Sequence, residues 1–191
     1  MKSLLLILGV LVVGALLIGM PLMSSRNELV TEREDINGKW AQVDNDMKRR
    51  ADLIPNLVET VKGYAKQEQT VISDIANARA ALMGARANNN RADEIAANDK
   101  LGGALSRLLV ITENYPQLKS NENFLRLQDE LTGTENRIAV SRRDYNLSIQ
   151  KYNTDVELFP KNFAAMIFGF KRDDAYFKTT EEEKAVPKVK F

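Results

Sequence analysis

The chain has 191 residues, of which 44% are hydrophobic and 28% are charged, and its formal net charge is +1. This composition is typical of a folded or coiled-coil chain, and the nearly balanced charge argues against nucleic acid as a partner. Because the sequence has neither cysteine nor histidine, it excludes disulfides, thiolate or histidine metal sites and histidine-based catalytic triads, and we expect no cofactor.

The first 25 residues are predicted to be a membrane anchor. An apolar run of 20 residues extends from Leu4 to Met23, and a helix of that length spans roughly 30 Å, the thickness of a bilayer core. The alternative is a cleaved signal peptide, but such peptides have a shorter apolar region and small residues before the cut, and residues 20–25 show no Ala-x-Ala pattern. A short amino end before the apolar run favours a single-pass anchor with most of the chain outside the cytoplasm.

A long amphipathic helix is predicted to begin near Arg26, with Ser24 and Ser25 available to cap it. One stripe recurs every seven residues over 29–78, and a second lies four residues further on, over 33–82. Spacings of three and four residues that persist over about seven heptads predict one helix that buries one face.

Pro55 lies inside this predicted helix, where a proline removes a backbone N–H donor. Asp52 is a good capping residue, and a helix that restarts under Asp52 would place Pro55 in its first turn, where the missing donor costs nothing. The stripe keeps its register across this point, which favours a kink over a domain boundary. We therefore predict that the first long helix is kinked or restarted near Pro55.

Two further helices are predicted. The run ANNNRADE at 87–94 indicates a turn, and the helix after it ends at Tyr115-Pro116. Asn121 is the predicted cap of the third helix, which has an apolar or aromatic residue at every seventh position from Phe124 to Phe159 and ends at Pro160. Since short turns between long helices imply antiparallel neighbours, we predict an all-α protein. It would have a transmembrane helix at 1–25, an elongated antiparallel bundle of three long helices at 26–160, and an apolar segment with a mobile polar tail at 161–191.

Charged residues interrupt the apolar stripes at Arg50, Glu68, Glu135 and Arg142. They are either rim positions whose aliphatic stems cover apolar surface or cross-helix pairs that fix the register of the helices. Our hypothesis is that Arg50 meets a carboxylate of the third helix, with Glu135 as a candidate. A hydrolase would need two acids with shifted pKa values in one cleft, and no spacing in the sequence asks for that, so no catalytic residue is predicted.

The segment from Phe163 to Phe170 is strongly apolar. It either folds back onto the helices or serves as an interface, in which case Phe163, Phe168 and Phe170 would insert into a bilayer surface or a neighbouring subunit. The carboxylates of Asp173 and Asp174 lack a defined loop geometry, so no metal site is predicted.

The assembled pattern resembles the LemA family of membrane proteins. The resemblance rests on an amino-terminal membrane helix, the stretch RRADLIPNLVETVKGYAK, the stretch NFLRLQDELTGTENRIAVSRRDYNLSIQKYNT and the element FPKNFAAMIFGF. It implies a single-pass, all-helical protein of the bacterial inner (cytoplasmic) membrane without known catalytic residues. It also implies links with membrane proteases of the HtpX type and, through the MamQ group, with magnetosome membrane formation.

Two functions are compatible with this sequence. The first is a non-enzymatic, membrane-anchored scaffold that self-associates through its long amphipathic helices and organises membrane or envelope proteins. The second is a regulatory adaptor that binds a membrane protease or a signalling protein. The lipid bilayer and further copies of the chain are therefore the expected partners.

Overall fold

The computed structural model describes residues 2–178, and every regular element within that range is a helix. The helices are α1 (Lys2–Tyr64), α2 (Gln69–Ala87), α3 (Arg91–Thr112), α4 (Pro116–Lys119), α5 (Glu122–Glu157) and α6 (Lys161–Phe168). The all-α prediction is therefore confirmed. The predicted polar tail from residue 179 onwards lies outside the described residues.

Two helix starts are capped by asparagine side chains, of which the sequence analysis predicted the one at Asn121. The turn at residues 88–90 ends at Asn90, whose Oδ1 accepts hydrogen bonds from the backbone N–H groups of Ala92 at 3.1 Å and Asp93 at 3.3 Å. The Oδ1 of Asn121 accepts a hydrogen bond from the Phe124 N–H at 3.0 Å. Both side chains satisfy donors that the first turn of a helix leaves without partners.

The first long helix differs from the prediction at both ends. α1 continues without a break through Ser24 and Ser25, so these residues do not cap a new helix. At the other end α1 stops at Tyr64, and a turn at 65–68 separates it from α2, whereas the sequence predicts one helix through this region. The turn contains neither proline nor glycine, and it is fixed by tertiary contacts: Ala65 is buried, and the Glu68 carboxylate accepts a hydrogen bond from the Tyr115 hydroxyl at 2.8 Å.

The predicted restart of the helix under Asp52 is wrong. Asp52 and Pro55 both lie in the interior of α1, and the Asp52 carboxylate forms a surface ion pair with Lys48 at 2.6 Å. Because proline has no N–H, the carbonyl oxygen of Ala51, four residues earlier, loses its helical donor. The Nε of Arg79 on α2 donates a hydrogen bond to that oxygen at 2.8 Å. A side chain from the next helix therefore replaces the bond that Pro55 removes.

The chain divides into two compact units. Unit 1 contains residues 1–40 and 144–176, and its core includes Leu29 and Ile36 of α1 with Ile149 of α5. The rings of Trp40 and Tyr145 pack within it at a centroid distance of 5.2 Å. Most large apolar side chains from Leu6 to Met23 are exposed, and the helix that carries them is long and apolar enough to cross a membrane.

Among the described residues, unit 2 contains 41–143 and 177–178 and is built from antiparallel helices. The pairing of Asp44 with Arg86 and of Ala51 with Arg79 shows that α1 and α2 run in opposite directions. Most positions of the two heptad stripes are buried here, although Tyr64 is exposed, and they pack against buried residues of the other helices. The buried apolar side chains include Val43, Met47, Ile54, Leu57, Val61, Ile75, Leu82, Leu101, Leu108, Phe124 and Ile138.

Candidate functional site

A groove of about 530 Å³ opens in unit 2 between residues of α1, α3 and α5. One part of its lining is apolar and consists of Leu57, Leu105, Leu108, Leu109, Phe124 and Leu131. Two glycines on α3 keep the groove open, because a Cβ at Gly103 would meet no atom within 4 Å and a Cβ at Gly102 would lie 3.9 Å from the Arg50 side chain. Volumes in this range are typical of ligand sites.

Arg50 forms the polar part of the groove together with residues from α3 and α5. Its side chain is almost fully buried, with an exposed fraction of 1% for the residue. Nη1 forms an ion pair with the Glu135 carboxylate, and Nη2 donates hydrogen bonds to the Asn98 side-chain oxygen and, at 2.9 Å, to the Asn98 carbonyl oxygen. Burial lowers the pKa of the Arg50 guanidinium, and the Glu135 carboxylate opposes that shift. The structure thus brings together the two residues that the sequence analysis paired.

A second arginine completes this end of the groove. Nη2 of Arg142 donates to the Asp99 carboxylate at 2.8 Å, and its guanidinium carbon lies 4.8 Å from the centroid of the Phe177 ring. Each of the two guanidinium groups therefore has one carboxylate partner, and the four charges of this end sum to zero. A ligand here would need no net charge of its own.

Three buried N–H donors in the lining have no hydrogen-bond partner among the described residues. They are Nε of Arg50, Nδ2 of Asn98 and Nε of Arg142. A buried donor without a partner costs about 1–3 kcal/mol, and buried polar groups in folded proteins are generally satisfied. These donors belong to side chains that line the groove beside its apolar wall but are themselves covered from solvent, so a small shift of those side chains would let an apolar group that carries oxygen acceptors satisfy them.

Outside the groove, Lys161 lies at the centre of an ion-pair network. In unit 1 the Lys161 Nζ lies 2.8 Å from Glu28, 2.5 Å from Asp155 and 3.5 Å from Glu32. Burial raises the pKa of the Glu32 carboxyl, and a hydrogen bond shared with Asp155 raises it further. Burial alone would lower the pKa of Lys161, but its hydrogen bonds to Asp155 and Glu28 outweigh burial and raise it. This network fastens the start of α6 to α1 and α5.

Within residues 2–178, no three His, Cys, Asp or Glu side chains are grouped as metal ligands.

The apolar segment from Phe163 to Phe170 packs against α1 on one side and is exposed on the other. Phe163 is 55% exposed, whereas Phe168 lies beside Arg26 and Phe170 beside Arg33.

Sequence reasoning missed Asn98 and Arg79. Asn98 lies three residues before Leu101 and seven before Leu105, so a polar residue on the apolar face of its helix was the signal that could have found it. Nothing close to Arg79 in sequence marks it as the partner of a carbonyl 28 residues away.

A sequence model described as the LemA family matches residues 39–191. The chain is 29% identical to magnetosome protein MamQ 2 of Paramagnetospirillum magneticum, in an alignment that covers 82% of this chain and 66% of that protein. It is 28% identical to magnetosome protein MamQ of Magnetospirillum gryphiswaldense, over 79% of this chain and 64% of the relative. Protein LemA of Metamycoplasma hominis is 25% identical over 73% of this chain and 63% of its own length. The chain therefore spans just under two thirds of the length of these curated relatives.

Proposed function

Because the chain belongs to the LemA family and carries a candidate membrane helix, we propose that it is a non-enzymatic, membrane-anchored scaffold protein. It holds an apolar helical segment of another membrane or envelope protein in the groove of unit 2. The observation that carries this proposal is the set of three buried, unpartnered donors beside a leucine-rich wall.

The apolar stripes support the groove as the binding surface. Self-association through these stripes would need an exposed apolar face, but most of their residues are buried within the units: Leu29 and Val43 on α1 and Ile138 on α5 have exposed fractions of 0%, whereas Tyr64 and Phe159 remain exposed. A face that is already covered by the chain itself offers little surface to a second copy. The groove, in contrast, has an apolar lining that the described residues leave uncovered.

The chemistry of the groove specifies its occupant. N–H donors require oxygen acceptors, and the balanced charges of Arg50, Arg142, Asp99 and Glu135 favour neutral acceptors over an anion. The carbonyl oxygens of the last turn of a helix are neutral acceptors without helical partners. A partner helix that ends in the groove would place these carbonyls at the donors and its apolar side chains against the leucines.

Site-specific photo-crosslinking in native membranes tests the proposal. A photoreactive residue at Thr132, which lines the groove and is exposed, should yield a product with a second protein at a fixed ratio. The same residue at Asp129, exposed on the same helix but outside the lining, is the matched control. Gly103→Leu fills the groove while raising helix propensity, so its effect is not explained by loss of folding.

The proposal predicts a Thr132 product that Gly103→Leu abolishes and that Asp129 does not give. A product of equal yield at both positions, or one that persists in Gly103→Leu, would refute the groove as the binding surface. If the mass of the groove-dependent product is twice that of the 21.5 kDa chain, the occupant is a second copy, and the scaffold acts by self-association.

We also propose that the bulk of the chain lies on the non-cytoplasmic side of the bacterial inner membrane, the orientation of an apolar run that acts as a signal-anchor. The natural chain lacks cysteine, so one introduced thiol is unique. Val140→Cys is suitable because Val140 is 51% exposed in unit 2. A membrane-impermeant maleimide should label this thiol from the outer face of spheroplasts. Labelling only after lysis would reverse the assigned topology.

A further inference from the structure

α6 exposes an apolar face that the described part of the chain does not cover. Ala164 and Ala165 pack inward, whereas Phe163, Met166 and Ile167 have exposed fractions of 55%, 70% and 51%. These three residues have the i, i+3, i+4 spacing that places side chains on one face of a helix. Phe159, just before α6, is 84% exposed. Full burial of each such side chain is worth about 1.5–3 kcal/mol, so this face has a large unused capacity for apolar contact.

The contacts of α6 fix its position along α1 within unit 1. The guanidinium carbon of Arg26 lies 5.5 Å from the centroid of the Phe168 ring, and Lys161 Nζ lies 2.8 Å from the Glu28 carboxylate. Both ends of α6 therefore flank α1 at residues 26–28. The apolar run of α1 ends at Met23. At 1.5 Å per residue, Arg26 and Glu28 lie about 4.5 Å and 7.5 Å beyond that end.

These distances match the interfacial layer of a bilayer. The hydrocarbon core is about 30 Å thick and the whole bilayer about 40–45 Å, which leaves about 5–8 Å of polar interface on each side. Because α1 is helical without a break from the apolar run to Trp40, α6 lies beside the segment that emerges from the membrane.

The attachment of α6 is polar, and its free face is apolar. Lys161 holds its start through Glu28, Glu32 and Asp155. Arg172, just after α6, pairs with the Glu157 carboxylate. Lys161 and Arg172 are thus paired with carboxylates within unit 1, so the exposed apolar face is the part of α6 that remains free to associate with a surface.

We infer that α6 is an interfacial helix that lies in the same bilayer surface from which α1 emerges. Helices of this kind bury their apolar face about 5–10 Å into the boundary between headgroups and acyl chains. The occupant of the exposed face is therefore lipid. The membrane would hold the chain at two places, the span of α1 and the face formed by Phe163, Met166 and Ile167, and this would restrict rotation of α1 about its own axis.

Spin labelling of the full chain in vesicles of phosphatidylcholine and phosphatidylglycerol tests the inference. Because the chain has no cysteine, Met166→Cys carries one label on the exposed face of α6. Val140→Cys, exposed in unit 2, is the control. The measurement is the collision rate of each label with oxygen, which concentrates in lipid, and with a water-soluble nickel chelate.

The label at Met166 should collide mainly with oxygen, at a depth of about 5–10 Å, whereas the label at Val140 should collide mainly with nickel. Equal nickel accessibility at the two positions would overturn the inference. Spin–spin broadening at Met166 that disappears on dilution with unlabelled protein would also overturn it, because the occupant would then be a second copy of the chain.

Discussion

Replacing Arg79 with methionine removes the donor that replaces the missing N–H of Pro55 while keeping most of the aliphatic stem. The Ala51 carbonyl oxygen would lose its 2.8 Å hydrogen bond, and Ala51 is fully buried. A hydrogen bond from a charged donor is worth about 1.5–3 kcal/mol, and a buried acceptor without a partner costs about 1–3 kcal/mol. We expect Arg79→Met to lower the free energy of unfolding by about 1–2 kcal/mol, because Arg79 itself is only partly buried.

The same substitution should cost much less when residue 55 supplies its own donor. Pro55→Ala restores an N–H that can bond to the Ala51 carbonyl. It also removes a proline from a helix interior, where proline is about 3 kcal/mol less favourable than alanine. Pro55→Ala alone should therefore stabilise the protein by about 1–3 kcal/mol. In that background Arg79→Met should cost less than about 0.5 kcal/mol, which gives a coupling energy of about 1 kcal/mol between the two sites.

Denaturant unfolding of the full chain in a mild detergent, followed by circular dichroism, gives the four free energies of this cycle. Arg86→Met is a useful comparison, since Arg86 is on the same helix but bonds to the Asp44 carboxylate instead of a backbone carbonyl. Its cost should be independent of Pro55→Ala. If Arg79→Met costs the same with and without Pro55, the bond to Ala51 does not compensate for the proline, and the explanation given for α1 is refuted.

Four further substitutions test the groove and its surroundings. Arg50→Met should lower the free energy of unfolding by about 2–4 kcal/mol, because it leaves the buried Asn98 acceptors without a donor. Glu135→Ala should lower it less, since the Glu135 side chain is 54% exposed. Denaturant unfolding gives the ranking of the two variants, and the reverse order would contradict this reasoning. Gly103→Leu should raise the free energy of unfolding by roughly 0.5–1 kcal/mol, and a loss in the same assay would mean that the groove is not open at this position. Burial, with the nearby Asp44 carboxylate, raises the pKa of Glu94 from 4.5 to about 7. Between these two pH values the folded state therefore binds more protons than the unfolded state. The free energy of unfolding should fall as the pH rises from 4.5 to about 7. Glu94→Gln should remove that fall and stabilise the protein at pH 8 by about 1–2 kcal/mol after allowance for solvent screening; an unchanged pH profile of unfolding would exclude this role.

The helices of this protein could be predicted from the sequence where apolar periodicity is long. The residues at every seventh position from Leu29 through Val43, and again at Ile138 and Tyr145, are those that the structure buries. Periodicity does not report where a helix must stop, however, since the stripe continues through the turn at 65–68. That turn depends on contacts between residues far apart in the sequence, such as Glu68 with Tyr115.

The groove could be predicted in part. A charge on an apolar stripe marked Arg50, and the same criterion selected Glu135 and Arg142, which all line the groove. Asn98 gave the same kind of signal, because it lies three residues before Leu101 and seven before Leu105 on the apolar face of its helix. That it binds Arg50 could not be predicted, since the contact joins residues 48 positions apart.

Pro55 and Arg50 both violate a local rule of helix packing, but the structure compensates them to different extents. Pro55 removes one hydrogen bond, and Arg79 replaces that one bond. Arg50 brings a charge into the core, and although Glu135 and Asn98 bind its Nη atoms, its Nε and the Asn98 Nδ2 remain without partners among the described residues. A compensated violation is explained by stability alone. Arg50 and Asn98 keep those unpartnered donors in the lining of an open groove, and a ligand that supplies the missing acceptors explains this better than stability does. For that reason the binding proposal rests on Arg50 and not on Pro55.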